Sequence, residues 1–341
     1  MKTKKHVKIM LLCMILTLGI VSPAFSQTQL GDLTATMDAF ADSMAKALPF
    51  NASMGLNWSD AYIGKFFPSL PPHFGVGVSG GFTIMDADYI GDLLNIFSPG
   101  LSGDLLSLSG FPILGMMAEA RLGGIILPFD IGVKIGILPF SPGLFDLDYF
   151  LVGADFRYAV VKGNLILPKI SVGVGFNHLS GGIGRNIGKG LSIAYVDPAE
   201  TPSAKTLSLS QPKIGIDWST NTVDFKAQIS KRLNIPIIRL GFTPYIGAGA
   251  SRGTSEVSYG LKTTVTTDGN IDQAREIFKA AGIDIPATLD GFSSTKEITG
   301  WNMRAFGGLS FNIVLLSFDL TGLYSFNDAN FGVTFGARLQ I

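Results

Sequence analysis

From residue 73 to the end of the chain, apolar side chains recur at every second position in one run after another. The last run shows this most clearly. Phe331, Val333, Phe335, Ala337, Leu339 and Ile341 alternate with Gly332, Thr334, Gly336, Arg338 and Gln340. Period two marks a β-strand with one apolar face. The same alternation runs through 73–84, 113–122, 127–138, 148–161, 166–180, 213–218, 223–230, 238–246, 257–265, 302–312 and 314–324. Many of these runs exceed the roughly 5–6 residues usual in soluble sheets, and they reach the roughly 10 residues that a tilted strand needs to cross a bilayer. Their second face is glycine, serine and isolated charge rather than a lysine- and glutamate-rich surface, which suits an enclosed lumen. The pattern predicts an all-β fold: a transmembrane antiparallel up-and-down β-barrel in residues 73–341.

Connection lengths predict the strand number. Membrane barrels have short turns at one end, longer loops at the other, and an even number of strands. Taking the chain's end as the short-turn side, the turns fall at Asn312-Ile313, Arg252-Gly253, Ser219-Thr220, Gly163-Asn164 and Gly124-Ile125. The opposite side then takes 326–328, 267–299, 232–236, 181–205, 139–147 and 85–112. This gives twelve strands. Counting 51–58 and 189–196 as strands gives fourteen as the alternative. Two of the long loops carry helical spacing, at 86–97 and at 270–281, where Ile271, Ala274, Ile277, Phe278 and Ala281 share a face.

The first 72 residues read differently. Lysines 2, 4, 5 and 8 precede an uncharged run over 9–21 and a small-x-small end at Ala24-Phe25-Ser26, the form of a secretory signal peptide covering 1–26. Residues 31–48 then place Leu33, Met37, Phe40, Met44 and Leu48 on one helical face, with Asp32 at the start and Pro49 as the expected stop. That face needs a cover. We expect 27–72 to form a helix and plug or linker segment, either a periplasmic appendage or, as the uncovered apolar face favours, a plug inside the lumen.

Composition narrows the class. Cys13 is the sole cysteine and falls in the signal, so thiol catalysis, disulfides and cysteine–metal sites are excluded downstream. Removing the four signal lysines leaves 22 basic against 26 acidic residues, which does not point to nucleic acid. Mean hydropathy is +0.37, yet no later apolar run reaches the roughly 18 residues of a membrane helix. The expected location is the bacterial outer membrane, with its lipids and assembly machinery as partners.

The candidate chemistry is mostly inside. The polar faces carry Glu119, Arg121, Asp130, Lys134, Asp155, Arg157, Lys169, Asp224, Lys226, Arg239, Arg304 and Arg338, which the alternation places toward the lumen. They read as neighbouring opposite charges along each strand, either selecting solutes or bracing the barrel. No phosphate loop or metal-ligand cluster appears, and no cofactor or metal is expected. A second constellation falls on the outward face: Asn177-His178-Leu179-Ser180-Gly181. A His-x-Ser on a barrel exterior resembles the outer-membrane phospholipase and lipid-A deacylase families, where histidine activates serine beside lipid. Those families usually follow the serine with asparagine, and here Gly181 stands in that place.

The overall plan resembles the long-chain fatty-acid channel family: an N-terminal plug segment, a long barrel and apolar loop elements. That family's Asn-Pro-Ala signature is replaced by Asn51-Ala52-Ser53. The stretch Gly55-Leu56-Asn57-Trp58 is similar to exported barrel families of this kind. The reading is a non-enzymatic channel for passive uptake of small or hydrophobic solutes. Its alternatives are a lipid hydrolase built on His178 and Ser180, and a surface-exposed structural or adhesive barrel.

Overall fold

A computed structural model describes residues 27–63, 73–85, 111–123, 128–138, 146–164, 166–186, 189–196, 204–235, 240–280 and 288–340. The expected signal peptide, the 86–97 helix, Arg239 and the Gly124-Ile125 turn lie outside the described residues.

The strands are β1 (His73–Met85), β2 (Phe111–Gly123), β3 (Phe129–Ile137), β4 (Asp146–Val161), β5 (Lys169–Asn186), β6 (Leu191–Val196), β7 (Ala204–Leu209), β8 (Lys213–Ser230), β9 (Leu233–Ile235), β10 (Leu240–Thr267), β11 (Thr288–Ile313), β12 (Leu316–Ser325) and β13 (Phe331–Gln340). Hydrogen bonding runs β11–β12–β13–β1–β2–β3–β4–β5–β8–β10 and returns from β10 to β11. That path is a closed antiparallel ring of ten strands. The seam joins β13 to β1, from Gly75 opposite Gln340 to Ile84 opposite Phe331. No helix among the described residues is long and apolar enough to cross a membrane.

Ten strands replace the expected twelve because two expected turns do not exist. Residues 213–230 form one strand, and so do 240–267. The apolar positions do change parity, from Ile214, Ile216 and Trp218 to Val223, Phe225, Ala227 and Ile229. The backbone does not. Even positions of β8 are buried from Ile214 to Ser230 without interruption. What changes is the surroundings: the strand leaves the apolar band, its outward side becomes Asp217, Ser219 and Asn221, and its inward side becomes apolar. β10 behaves alike, with outward Ile246 and inward Val257 and Tyr259 on one continuous strand. Losing these two turns puts residues 231–235 at the same end as the chain's last strand residues, not among the outer loops. The hairpin between β11 and β12 also shifts by two residues, to Val314-Leu315, with Val314 at φ 54°.

The chain divides into two compact units. One comprises Ala39–Ile183, Asp217–Ser258 and Thr295–Ile341 and contains the barrel wall. Its outward side chains are apolar around the ring, for example Val78 (64% exposed), Ile135 (52%), Val160 (58%) and Phe335 (59%). Exposure on that scale would be unfavourable in water, at roughly 25 cal/mol per Å² of apolar area; in a bilayer it is the lipid contact.

In the other unit, Gly184–Ile216 and Tyr259–Ser294 hold a smaller sheet. β6 pairs with β7 and β7 with β10, off the ring, so 189–196 is a strand but not a barrel strand. The helix α2 (Ile271–Ala280) is capped by Asn270, whose Oδ1 accepts the amides of Asp272 and Gln273 at 2.9 and 3.3 Å. Its Ile271, Ala274 and Ile277 pack on Tyr195, Leu207 and Val265. The expected amphipathic face is therefore spent on the unit's own core.

The remaining helix, α1 (Gln27–Ala52), continues past Pro49 instead of stopping there. Its end comes at Ala52, where Ser53 and Met54 amides bond the carbonyls of Phe50 and Asn51 at 3.1 and 3.0 Å. Gly55 and Leu56 then take positive φ, +80° and 56°, and redirect the chain.

Candidate functional site: an occupied lumen

Residues 39–63 fill the barrel's interior. From Met44 to Ile63 most side chains are buried, including Phe50, Met54, Trp58 and Tyr62. Phe50 packs with Tyr245, Phe306 and Leu323 from β10, β11 and β12. Asn51 donates to Thr83 Oγ1 of β1 at 2.8 Å. Partners from across the ring thus meet one short segment.

The wall is shaped for this segment. At Gly75 an added Cβ would lie 2.6 Å from the Trp58 ring, at Gly115 2.9 Å from Met54, and at Gly123 3.0 Å from Ile63. Gly253, expected as a turn residue, is instead in mid-strand, where a Cβ would lie 3.1 Å from Pro49 and 2.9 Å from Thr222. Glycine is needed there by close approach and not by a bend. Beside Trp58 the fit leaves a void of only 20 Å³, about the space of one water.

The charged residues hold the plug by its main chain. Lys134 donates to the carbonyl of Ala52 at 2.7 Å and also to that of Met54. Arg121 and Lys226 both reach the Leu56 carbonyl, at 3.1 and 3.2 Å. Gln228 takes the carbonyls of Trp58 and Ser59 at 2.7 and 3.1 Å. Arg157 takes that of Asp60 at 3.0 Å, and Lys169 that of Tyr62 at 2.9 Å. Donation also runs outward. The Trp58 indole N–H bonds Glu119, and the Ile63 amide bonds Asp130 at 3.2 Å. Trp58 sits between two guanidinium groups, Arg338 at 4.8 Å and Arg121 at 5.6 Å.

The ion pairs are not those that strand-neighbour spacing suggests. Residues i and i+2 on a strand are about 7 Å apart, while residues opposite each other on adjacent strands are about 5 Å apart. Gly132 of β3 stands opposite both Arg121 and Asp155 and offers no side chain, so Arg121 reaches past it to Asp155 of β4 at 2.9 Å and diagonally to Asp130 of β3 at 2.5 Å, not to Glu119. Arg157 grips Asp130 through two nitrogens, each at 2.8 Å. Lys226 meets Asp155 at 2.5 Å, and Arg304 meets Asp224 at 2.7 Å with Ser251 alongside. Arg338 reaches Asp319 at 2.9 Å and Asp60 at 3.3 Å.

Asp60, Asp319 and Trp58 complete this network and were not singled out by the sequence. Asp60 is one acid in an otherwise uncharged stretch, 47–64, and that isolation was the only sign of it. Burial alone would raise its pKa, but Lys169 and Arg338 outweigh burial and hold the carboxyl well below its usual range. Among the described residues no group of three His, Cys, Asp or Glu is placed to hold a metal.

His178 and Ser180 are on the outer face of β5, away from this network. His178 has a partner that sequence spacing did not supply: its Nδ1–H donates to Asn221 Oδ1 at 2.9 Å.

A closed ten-strand ring, apolar outside and polar within, defines a transmembrane β-barrel of the outer-membrane type. No family model matches the chain, and no curated protein matches it in sequence. Among solved structures it is similar to Ail, the attachment invasion locus protein of Yersinia pestis, at 12% identity and TM-score 0.28, covering 79% of this chain and 99% of Ail. A major outer membrane protein from Thermus thermophilus gives 12% identity and TM-score 0.28, covering 80% of this chain and 100% of the other. The Ralstonia pickettii toluene transporter TbuX gives 11% identity and TM-score 0.25, covering 79% and 88%. Likeness at this level says nothing of activity or solute.

Proposed function

We propose that this protein is an outer-membrane channel for small or hydrophobic solutes, gated by its own residues 39–63. The observation that carries the reading is the chemistry of the plug's seat. The wall is a complete ring without the plug, and it grips the plug largely through lysine, arginine and glutamine donors aimed at main-chain carbonyls. Water or a polar solute can take over each of those bonds, so withdrawing the segment leaves a hydrated polar passage and not an apolar void. A barrel needed only as an anchor has a simpler solution in eight strands, whose side chains fill the interior unaided.

Asn51 and Thr83 give a direct test, because the chain beyond the expected signal contains no cysteine of its own. In planar bilayers we expect Asn51→Cys/Thr83→Cys to be silent when oxidised and to show openings when reduced. Currents that are identical in both states, or absent from both, would remove residues 39–63 as the gate.

A further inference from the structure

Without the plug, the charges of the lumen do not balance. Among the described residues level with 50–63, the four inward arginines of the wall and Lys226 face four aspartates, in the ion pairs given above. Glu119 is a fifth inward acid, and Lys134 and Lys169 make seven inward bases. The wall is thus two positive charges in excess. Both lysines are answered from the plug. Lys134 meets the carbonyls of Ala52 and Met54, and Lys169 meets the carbonyl of Tyr62 and, at 3.2 Å, the carboxylate of Asp60.

Asp60 sits in a seat made for one carboxylate. Lys169 takes one of its oxygens at 3.2 Å and Arg338 the other at 3.3 Å. The two cations belong to β5 and β13, which lie on opposite sides of the ten-strand ring, so the seat spans the passage itself. The wall groups that hold the residues on either side are polar as well: Arg157, Gln228 and Ser230. Such a place offers charge and hydrogen bonds to a short acid, not a slot for a long apolar chain. It also lies at the short-turn end, because Lys169 opens β5 and Arg338 is near the end of β13. The lysine side chain is 26% exposed, against 2% for Asp60 and Arg338, so solvent reaches the seat past Lys169.

We propose that the solute is a small hydrophilic carboxylate, and that Asp60 of the plug holds its place between Lys169 and Arg338 until it arrives. This rests on residues 39–63 being the gate. A carboxylate that bridges the two cations binds the open state and not the closed one, where Asp60 already holds both. It therefore shifts the plug toward release by its difference in affinity for the two states. Once the plug has left, the same excess of inward lysine and arginine concentrates anions in the passage, as basic rings do in anion-conducting pores.

The test uses the full-length chain, its folded state checked by heat-modifiable gel mobility, in planar bilayers under a potassium chloride gradient. Potassium succinate is then added to each side in turn. We expect the openings to reverse near the chloride equilibrium potential, and to become more frequent with succinate on one side only, beyond any effect of chloride at equal ionic strength. Asp60→Asn opens at least roughly tenfold more often, because its closed state buries two cations without their carboxylate, and succinate adds nothing to it. Lys169→Gln still opens but loses the succinate response. Three results overturn the anion assignment and leave the gate standing: openings that prefer potassium to chloride, a succinate response no larger than that to chloride, or one that survives Lys169→Gln. A folded chain that is silent in every condition removes the gate and the assignment together.

Discussion

Gly75 shows at residue scale how closely wall and plug are matched. Its missing Cβ is the space that the Trp58 ring occupies, and Trp58 cannot swing aside easily between Arg121 and Arg338. Gly75→Ala is expected to destabilise plug docking by about 1–3 kcal/mol, the usual penalty of overpacking. Limited proteolysis of residues 39–63 in the folded barrel should then accelerate. Gly300 is the control, because nothing lies within 4 Å of the Cβ it lacks, and Gly300→Ala should leave the cleavage rate unchanged. Equal rates for both variants would separate the wall's glycines from the plug's fit. At this scale the sequence revealed residue identity better than partnership. The inward charges were legible from alternation, but their pairing was not, because it depends on cross-strand register. Glu119 and Arg121 look like partners in sequence. In the fold Arg121 belongs to Asp130 and Asp155, while Glu119 takes Trp58 and Ser79.

At the scale of elements, alternation locates the strands of the ring, splits two of them in half, and gives no sign of the short strands β7 and β9. A parity change in the apolar positions has two physical causes: a turn, or a strand passing from lipid to water while its interior changes from polar to packed. β8 and β10 are the second case. Polar Ser219 and Thr220 resemble turn residues, yet Thr220 points inward, accepts a hydrogen bond from Ser255 of β10 at 2.9 Å and donates to the carbonyl of Thr254 at 3.1 Å. Single cysteines along 217–229 of the folded barrel distinguish the two readings. Continuous strand predicts that positions 219 and 221 react with a water-soluble maleimide, that 223, 225 and 227 are quenched only from the lipid phase, and that 220 and 222 stay protected. Reaction at 220 and 222 would restore the turn and the twelve-strand count. The helix α1 posed the opposite problem. Its amphipathic face is readable, but proline predicts a stop at Pro49, whereas in the fold Pro49 lies against the wall at Gly253 and the helix runs on to seat Phe50.

For the whole molecule, the barrel and its contents have different sources of stability. The wall rests on a closed ladder of main-chain bonds and an apolar exterior. The plug rests on buried ion pairs and donors to its carbonyls. Such pairs add little net stability over an apolar core, but losing one partner leaves a buried charge at a cost of about 3–5 kcal/mol. They fix the plug in one register while keeping its seat compatible with water. Because the ring closes through β13 and β1 without residues 27–63, the wall is expected to assemble without them. The direct measurement is planar-bilayer conductance of the intact chain against a chain lacking 27–63, both confirmed as folded barrels. The account predicts brief, rare openings from the intact chain and a continuously conducting pore from the truncated one. A truncated barrel that folds and passes no current would contradict it.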